Sequence, residues 1–280
     1  MRIGSYEIEP VLDGVMKVPA TAAFTKTTDA DWAPHRDLLD ENGMVGMSLG
    51  GFLLRGEDRV ILVDVGLGHF EMGGRKLGGK MLESMAERGV QPSDVTDVLF
   101  SHLHLDHVGW ASHEGKPVFA NATYRCDQRD WEYWITGPIE ATKGVAADFA
   151  VKQREAMAPV TDRMTMWSTD GTLLPGIDVQ HAPGHTPGSA ILIISGGTDR
   201  AVLLGDVVHC PVELLDEGWG GLGDVDPELA KQTRNAAARE LEGSDTLVSA
   251  AHFPGMAFGR LLKGEGRRRW GFSEVLSSGF

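Results

Sequence analysis

The sequence lacks most features that would place the protein outside the class of globular α/β proteins. Its 280 residues include only two cysteines, Cys126 and Cys210, which cannot build the disulfide framework of a small secreted protein. No stretch approaches 18 consecutive apolar residues, so no transmembrane helix is expected. The first ten residues lack the charged and then apolar pattern of a signal peptide, which favours a reduced, cytoplasmic protein.

Positive charge is also scarce, because 26 lysines and arginines stand against 40 aspartates and glutamates. The formal net charge of -14 at pH 7 argues against the basic footprint of nucleic-acid-binding proteins. Neither a nucleic acid nor a membrane is therefore expected as a partner. The single basic cluster, at 267–269, is interpreted as a solvated helix end or loop. The expected partner is a small-molecule substrate, and the protein is also a candidate for forming a homodimer.

Short apolar runs alternate with amphipathic stretches, without a repeat or a low-complexity linker. Because strands and helices are mixed in both halves, we expect one domain, 1–280, in which helices cover internal sheets. Helices are predicted at 79–88, 127–136, 145–158 and 226–242, the last with Asp226 as its N-cap and Pro227 in its first turn. Strands are predicted at 45–55, 59–65, 95–100, 177–181, 189–194, 200–204 and, as the last one, 246–250.

The strongest local signal is the run HLHLDH at 102–107, which follows directly after a predicted strand. His102 and His104 are two residues apart, so they point to the same side of an extended segment. With Asp106 and His107, four side chains that can bind a metal lie within six residues. This cluster indicates a metal site, and a polar loop with clustered histidines is the alternative.

Three further candidate ligands lie just beyond other predicted strands, namely His185, Asp206 and His252. The glycines on either side of the His185 turn allow the backbone to bend tightly and to approach a site. A lone histidine in such a place is usually a loop or core residue. Three candidates at successive strand ends favour one shared site.

The run HLHLDH, followed by PGHTPGS, GD and AH, resembles the ligand pattern of the metallo-β-lactamase superfamily over most of the chain. The resemblance implies an α/β fold, the αββα four-layer sandwich, with the ligands at one edge. It also implies that Asp64 supports the ligands from outside the metal shell. For the two metals it implies His102, His104 and His185 on one, Asp106, His107 and His252 on the other, and Asp206 as the bridge.

Mixed histidine and carboxylate ligands suit two zinc ions, although manganese, cobalt and iron accept the same set. Two such ions, about 3.5–4 Å apart, can share a bridging water and lower its pKa towards about 7. A bridging hydroxide is then the expected nucleophile, and Asp106 is the candidate for passing a proton to the leaving group. The expected function is metal-dependent hydrolysis of a small ester or lactone.

Within the superfamily, the sequence resembles the quorum-quenching lactonase and methyl parathion hydrolase-like branch. Lactonases of this fold often carry Tyr three residues after the bridging aspartate, where this chain has His209. That histidine is a catalytic candidate, because imidazole can donate a hydrogen bond to a developing oxyanion, or it is a packed residue. A phosphotriester or aryl-ester hydrolase is the first alternative. A glyoxalase II-like thioesterase and a non-catalytic metal-binding protein are more distant alternatives.

The walls of the substrate pocket are harder to predict. Residues 19–44 form a long polar segment that indicates a lid or a dimer contact, and they include Phe24 and Trp32. Trp110 follows the metal motif, and Trp219 lies in the glycine-rich run GWGGLGD. We expect these four aromatic side chains to line an apolar pocket, although core packing explains each of them at least equally well.

Overall fold

Two seven-stranded mixed sheets form the centre of the computed structural model, which describes residues 1–24, 27–139, 147–221 and 223–273. The first sheet contains, in spatial order, Arg2–Ile3, Tyr6–Pro19, Met44–Gly56, Arg59–Val63, Asp97–Leu99, Thr123–Asp127 and Met164–Trp167. The second sheet contains Gly171–Leu174, Ile177–His181, Ala190–Gly196, Asp199–Leu203, Leu247–Ser249, Gly259–Lys263 and Arg268–Phe272. Two short hairpins add Glu71–Met72 with Arg75–Lys76 and Ser112–His113 with Lys116–Pro117.

Alternation along the strands explains why both faces of the first sheet are covered. Successive side chains of a strand point to opposite faces, and in the third strand Phe52, Leu53 and Leu54 are all buried. Phe52 and Leu54 pack between the two sheets, together with Ile177 of the second sheet. Leu53 points the other way and packs in the cluster that contains Met85 from a covering helix. The sheets therefore share an inner core, and each has an outer one.

Helices cover the outer faces and complete the αββα sandwich. Met157 joins the core outside the first sheet, whereas Ala238 and Leu241 join the core outside the second. The α-helices are Ala20–Ala23, Asp29–Trp32, Met81–Glu87, Leu105–Val108, Gln128–Asp130, Ala147–Met157, Val212–Leu215 and Pro227–Leu241. Shorter 3₁₀ turns are Ala33–Leu38, Pro92–Asp94, Ala158–Arg163, Gly205–Val207 and Pro254–Met256. Among the described residues, no helix has the length and apolar character needed to cross a membrane.

The predicted start of the longest described helix is confirmed. The Asp226 carboxylate accepts a hydrogen bond of 3.0 Å from the Leu229 backbone N–H, and Pro227 occupies the first turn. The predicted segment 127–136 is helical, but its second part, Trp131–Thr136, is a π-helix. The first two residues of the predicted helix 145–158 lie outside the described residues.

One prediction for the end of the chain is wrong, and another holds only in part. The strand at Leu247–Ser249 is not the last one, because Gly259–Lys263 and Arg268–Phe272 follow it in the same sheet. Arg267 of the basic cluster lies in an exposed turn, as predicted for a loop, whereas Arg268 and Arg269 belong to the last strand. Arg268 forms an ion pair of 2.9 Å with Glu242. Trp270, two residues further on and therefore on the same face of the strand, packs against the core outside the second sheet.

Candidate metal centre

The structure brings the seven predicted ligands together at one edge of the sandwich. Each of them follows the end of a strand or begins a helical turn, and all but Asp106 are almost fully buried. Among the described residues, four groups of three side chains could each hold a metal ion. Within each group, the potential ligand atoms lie within 4.8 Å of one another. The groups are His102, His104 and His185; His102, His107 and Asp206; Asp106, His107 and His252; and His185, Asp206 and His209.

Asp206 lies at the middle of this cluster. Its Oδ1 atom is 3.2 Å from His107 Nε2, and its Oδ2 atom is 3.1 Å from His252 Nε2. On the other side, Oδ2 is 3.5 Å from His185 Nε2 and 3.9 Å from His102 Nε2. The Asp206 carboxylate therefore faces histidines from both predicted metal sites.

Hydrogen bonds on the outer side of four histidines turn the inner nitrogen towards the centre of the cluster. The Nδ1 atom of His107 contacts Asp64 at 3.0 Å, and that of His185 contacts Asp224 at 2.9 Å. His252 donates from Nδ1 to a backbone carbonyl at 2.8 Å, and His102 Nδ1 lies 3.2 Å from a serine hydroxyl. Such outer contacts fix the tautomer and the ring orientation of a metal-binding histidine.

His104 faces the cluster with the opposite nitrogen. Its Nδ1 atom lies 2.9 Å from His185 Nε2, so Nδ1 is the atom that shares the centre with the other ligands. Its ring packs edge-on against Trp134, with ring centroids 4.8 Å apart. The outer Nε2 atom is buried and has no hydrogen-bond partner among the described residues.

The donor set fits a pair of divalent ions. The Nε2 atoms of His102 and His107 and the Oδ1 atom of Asp206 are buried and form no hydrogen bond within the described residues. Leaving a buried polar atom unpaired costs about 1–3 kcal/mol, and a pair of bound metal ions would satisfy all three atoms. Imidazole nitrogens and carboxylate oxygens are also the donors that zinc and related ions prefer.

The electrostatics of the centre favour a cation. Burial keeps the pKa of His102 and of His104 well below the usual value, so both are neutral, the form that binds a metal. Burial also disfavours a charged His252, but the carboxylates of Asp206 and Asp106 outweigh this effect and raise its pKa to about 10. The two carboxylates therefore create a negative potential that a bound cation would neutralise.

Asp64 connects several parts of the ligand cluster. Its backbone has a φ of 61°, a left-handed conformation that is uncommon for a residue other than glycine. One carboxylate oxygen accepts a hydrogen bond of 2.8 Å from the Ser101 backbone N–H. The other oxygen accepts one of 2.7 Å from the Ser101 hydroxyl and contacts His107. The predicted position of Asp64, outside the ligands and in contact with one of them, agrees with this geometry.

Asp130 joins the two loops that carry most of the histidines. One carboxylate oxygen accepts a 2.9 Å hydrogen bond from the Leu103 backbone and another 2.9 Å hydrogen bond from the Thr186 hydroxyl. The other oxygen accepts a 2.6 Å hydrogen bond from the Gly188 backbone. Burial raises the pKa of Asp130 to about 7, although these donors lower it. A Cβ atom at Gly188 would lie 2.6 Å from the Asp130 backbone nitrogen, so this contact requires glycine.

His209 is held from behind by a buried charged pair. Its Nε2 atom lies 3.5 Å from Asp206 Oδ2, and its Nδ1 atom lies 3.4 Å from Glu213. The other Glu213 oxygen is 3.3 Å from the Arg234 guanidinium. Burial lowers the pKa of His209, but Glu213 and Asp206 outweigh this effect and raise the pKa above its usual value. The side chain thus directs Nε2 to the centre and lines the adjoining cavity.

A cavity of about 510 Å³ opens beside the cluster, within the volume range of small-molecule sites. Asp106, His185 and His252 line its polar end, together with His104, Asp206 and His209. The rest of the wall is mainly apolar. It includes Met16, Val18, Met47, Leu49, Phe70 and Phe149.

One loop of this wall is anchored by the buried Asp13, at a register shift in the second strand. The Asp13 carboxylate accepts hydrogen bonds of 2.8–2.9 Å from the backbone N–H groups of Leu67, Gly68, Gly79 and Met81. It also accepts one of 2.8 Å from the indole N–H of Trp110. The two ends of the loop that contains Phe70 and Leu77 are thereby held together.

The four aromatic residues predicted for the pocket do not line this cavity. Phe24, Trp32 and Trp219 pack against one another, with the two tryptophan ring centroids 4.8 Å apart. Large aromatic rings gain most from mutual contact and full burial, and the smaller Ala22 and Ala23 face the cavity from the same segment. Trp110 is bound to Asp13, as described above. The prediction of direct pocket contact is corrected for all four.

Only part of the segment 19–44 bears on its predicted role. Its first residues line the cavity, and the remainder forms two helical turns beside it. Thr25 and Lys26 lie outside the described residues. That this segment acts as a lid or a dimer contact stays a prediction.

Several residues that support the site were not predicted from the sequence. Asp224 ends the run GWGGLGD and precedes a helix, so an acidic residue after a glycine-rich turn was a usable signal. Asp13, Asp130 and Glu213 stand in or beside ordinary strands and helices. Their importance depends on contacts across the fold, which no local pattern shows.

A sandwich of two sheets with a buried histidine and aspartate cluster at one edge defines a metalloprotein of the αββα class. Residues 51–252 match the family model described as the Metallo-beta-lactamase superfamily. This match covers more than half of the chain, and the protein belongs to that family.

Curated relatives include N-acyl homoserine lactonases from bacteria. The enzyme AiiA from Bacillus thuringiensis subsp. kurstaki is 26% identical over 217 residues, which are 71% of this chain and 79% of the relative. AttM from Azorhizobium caulinodans is 37% identical over 101 residues, 35% of this chain and 36% of the relative. A Bacillus sp. lactonase is 27% identical over 170 residues, 55% of this chain. The chain thus spans 60% of that lactonase and about a third of AttM.

Solved structures share the fold over nearly the whole chain. AidC, described as a dizinc quorum-quenching lactonase, has a TM-score of 0.87 at 22% identity and covers 99% of this chain and 97% of its own. AbOPH, described as a hydrolase in the beta lactamase superfamily, has a TM-score of 0.86 at 24% identity and covers 98% and 96%. At this identity the likeness shows the fold alone.

Proposed function

We propose that the protein is a dinuclear metal-dependent hydrolase that opens the ring of an N-acyl lactone or cleaves a related small ester. The observation that carries this proposal is the position of the ligand cluster at the polar end of an apolar cavity. A substrate with a reactive carbonyl at one end and an apolar chain at the other would place the carbonyl at the ligand cluster and the chain against the apolar wall. The lactonase relatives at 26–37% identity support the same substrate class.

Two divalent ions, for which zinc suits the donors best, would supply an activated water and polarise the carbonyl oxygen. His102, His104 and His185 would hold one ion, and Asp106, His107 and His252 the other, with Asp206 shared. The protein itself orients these ligands through Asp64, Asp130 and Asp224. The apolar wall excludes bulk water from the reacting group, which strengthens electrostatic interactions there.

Asp106 is the candidate proton carrier. It lies 3.4 Å from His252 Nε2, has 27% of its side chain exposed, and lines the cavity. It is thus the most exposed of the seven ligands, and from the cavity wall it could hand a proton to the leaving oxygen of a substrate.

His209 is proposed to hydrogen-bond the substrate oxygen. Its Nε2 atom faces the centre, and its raised pKa favours an imidazole that can donate. A histidine at this place also supports a second function, hydrolysis of a phosphotriester or aryl ester, because a phosphoryl oxygen accepts a hydrogen bond equally well.

The test is a comparison of kcat/KM for three substrates on metal-loaded protein, namely an N-acyl homoserine lactone, an aryl ester and an aryl phosphotriester. We expect the lactone to exceed the others at least a hundredfold, which corresponds to about 2.7 kcal/mol of transition-state stabilisation. A preference of this size for the phosphotriester would select the second function. Equal and weak rates on all three would contradict both.

A single domain over 1–280 is supported by the inner core, which joins residues of both sheets. Formation of a homodimer and a cytoplasmic location stay predictions from the sequence.

A further inference from the structure

The cavity wall contains one buried amide whose polar atoms are unpaired. Gln153 has 1% of its surface exposed, and neither its Oε1 nor its Nε2 atom has a hydrogen-bond partner among the described residues. The same side chain contributes to the wall of the cavity beside the ligand cluster. It lies one helical turn after Phe149, another wall residue, so both point from the same face of the helix Ala147–Met157.

This arrangement is costly in the absence of a partner. A buried amide without hydrogen bonds destabilises a protein by about 1–3 kcal/mol, and leucine or methionine would fill the same space without that cost. The neighbouring wall residues Leu67, Leu105 and Phe149 are apolar, which makes the amide an exception. A group that is unsatisfied beside a cavity is suited to a ligand that supplies both a donor and an acceptor.

The neighbours of Gln153 indicate which part of a ligand it would meet. The helix that carries Gln153 packs against the turn Leu105–Val108, which begins directly after the ligand His104. Leu105 of this turn joins the apolar part of the wall with Phe149. Gln153 thus belongs to the helix that packs beside both the ligand cluster and the apolar wall. A ligand group in contact with it would lie between the reacting carbonyl and the apolar chain.

We propose that Gln153 is a specificity-determining residue that binds an amide, or another paired donor and acceptor, placed next to the scissile carbonyl of the substrate. This inference rests on the proposed hydrolysis of lactones. It adds that the protein distinguishes acylamino lactones from lactones with a plain alkyl chain. Gln153 is not required for binding the metals or for the bond cleavage itself.

The test compares two substrates that differ only in the amide. One is N-hexanoyl homoserine lactone, and the other is an α-alkyl-γ-butyrolactone of the same length, in which methylene groups replace the amide. Gln153→Met keeps the length of the side chain and removes its polar atoms. We expect kcat/KM of this variant to fall about 10–100-fold for the amide substrate and less than about threefold for the alkyl lactone.

Stability and metal content provide the control readouts. The melting temperature of Gln153→Met should equal or exceed that of the parent, because an unsatisfied amide is removed. Gln232→Met, the same exchange on an exposed helix position, should change neither substrate's rate. If Gln153→Met does not fold, Gln153→Leu replaces it in the same comparison.

Three results would overturn the inference. An equal loss on both substrates, or a loss of bound metal, would assign Gln153 to the support of His104, whose Nε2 atom is also unpaired. Unchanged rates on both would remove any role in recognition. If the parent protein hydrolyses neither lactone, the proposed function fails and the inference fails with it. If the parent hydrolyses both lactones, the proposed function stands, and a negative result for Gln153→Met contradicts only the role of Gln153.

Discussion

The two ends of the cavity are built in opposite ways. At the polar end, buried side chains such as His107 and His185 are each fixed by a specific partner, and the seven ligands come from four separate stretches of chain. At the other end, the side chains of Met16, Met47 and Phe149 form the wall through apolar contacts. The catalytic chemistry therefore depends on hydrogen bonds between specific pairs of residues, whereas the fit of the substrate depends on the size and shape of the apolar wall.

The largest effect that would test this division is expected from His104→Ala. Removal of one ligand should lower kcat at least about 1,000-fold and release metal, because the remaining ligands leave one site incomplete. Binding of an apolar fluorescent probe to the cavity should change little, because the wall is untouched. Metal analysis, kinetics and probe titration measure the three quantities.

His113→Ala is the matched control, since it removes an exposed histidine that does not line this cavity. Activity of His104→Ala after metal has been stripped would contradict the proposed function as a whole.

A smaller loss is expected from Asp106→Asn, which removes the proposed proton carrier and one carboxylate ligand. We expect kcat to fall about 100–1,000-fold, within the range of general acid–base catalysis. The measurement is kcat on protein whose content of two metals has been verified. A variant with both metals and full activity would show that Asp106 carries no proton.

A still smaller effect is expected from Asp130→Asn, which acts only through the ligand loops. The amide has one acceptor oxygen, and its NH₂ group would face a donor that the carboxylate now binds, Gly188 N–H or Leu103 N–H. We expect a loss of about 1–3 kcal/mol in the free energy of unfolding and of about 10–100-fold in metal affinity.

Denaturant unfolding and competitive metal titration measure these two losses. Asp199→Asn, at an exposed position, should leave both unchanged. Normal metal affinity in Asp130→Asn would show that the two loops keep their geometry without this carboxylate.

The smallest effect is expected in the wall. Phe149→Ala removes a ring that packs against Phe70 with centroids 5.3 Å apart, so contact with an apolar chain is reduced. KM should rise about three- to tenfold for long acyl chains and little for short ones, with kcat nearly constant, because about 0.8 kcal/mol is gained per buried methylene. Val151→Ala, an exposed site on the same helix, is the control.

A series of acyl chain lengths measured on both variants gives the slope of KM against length. A large fall in kcat for Phe149→Ala would show that wall and chemistry are not separable.

The same division explains what could be predicted from the sequence. The ligands His102, His104 and His107 stand at fixed offsets after a strand, so a local pattern shows them, and the family order of motifs led to the αββα fold. The cap of the longest helix at Asp226 was likewise a local signal. These features depend on residues that are close together in the chain, so the sequence alone reveals them.

The wall could not be predicted in this way. Trp32 and Trp219 were expected to face the substrate, but their rings pack together, and the cavity is lined by smaller residues of the same region such as Ala23. The sequence of an apolar residue does not indicate which cavity it lines.

The role of the buried Asp130 could not be predicted from the sequence either. Its partners Leu103 and Gly188 come from loops that are far from it in the chain.

The hydrogen bonds of Asp13 have a consequence for the durability of the cavity rim. One carboxylate holds both ends of the loop between Leu67 and Met81, and it also binds Trp110. In secreted proteins a disulfide often closes a loop of this size, whereas both cysteines of this chain are buried and unpaired. A cross-link made of hydrogen bonds to a carboxylate needs no oxidant to form, and thiol reductants do not break it.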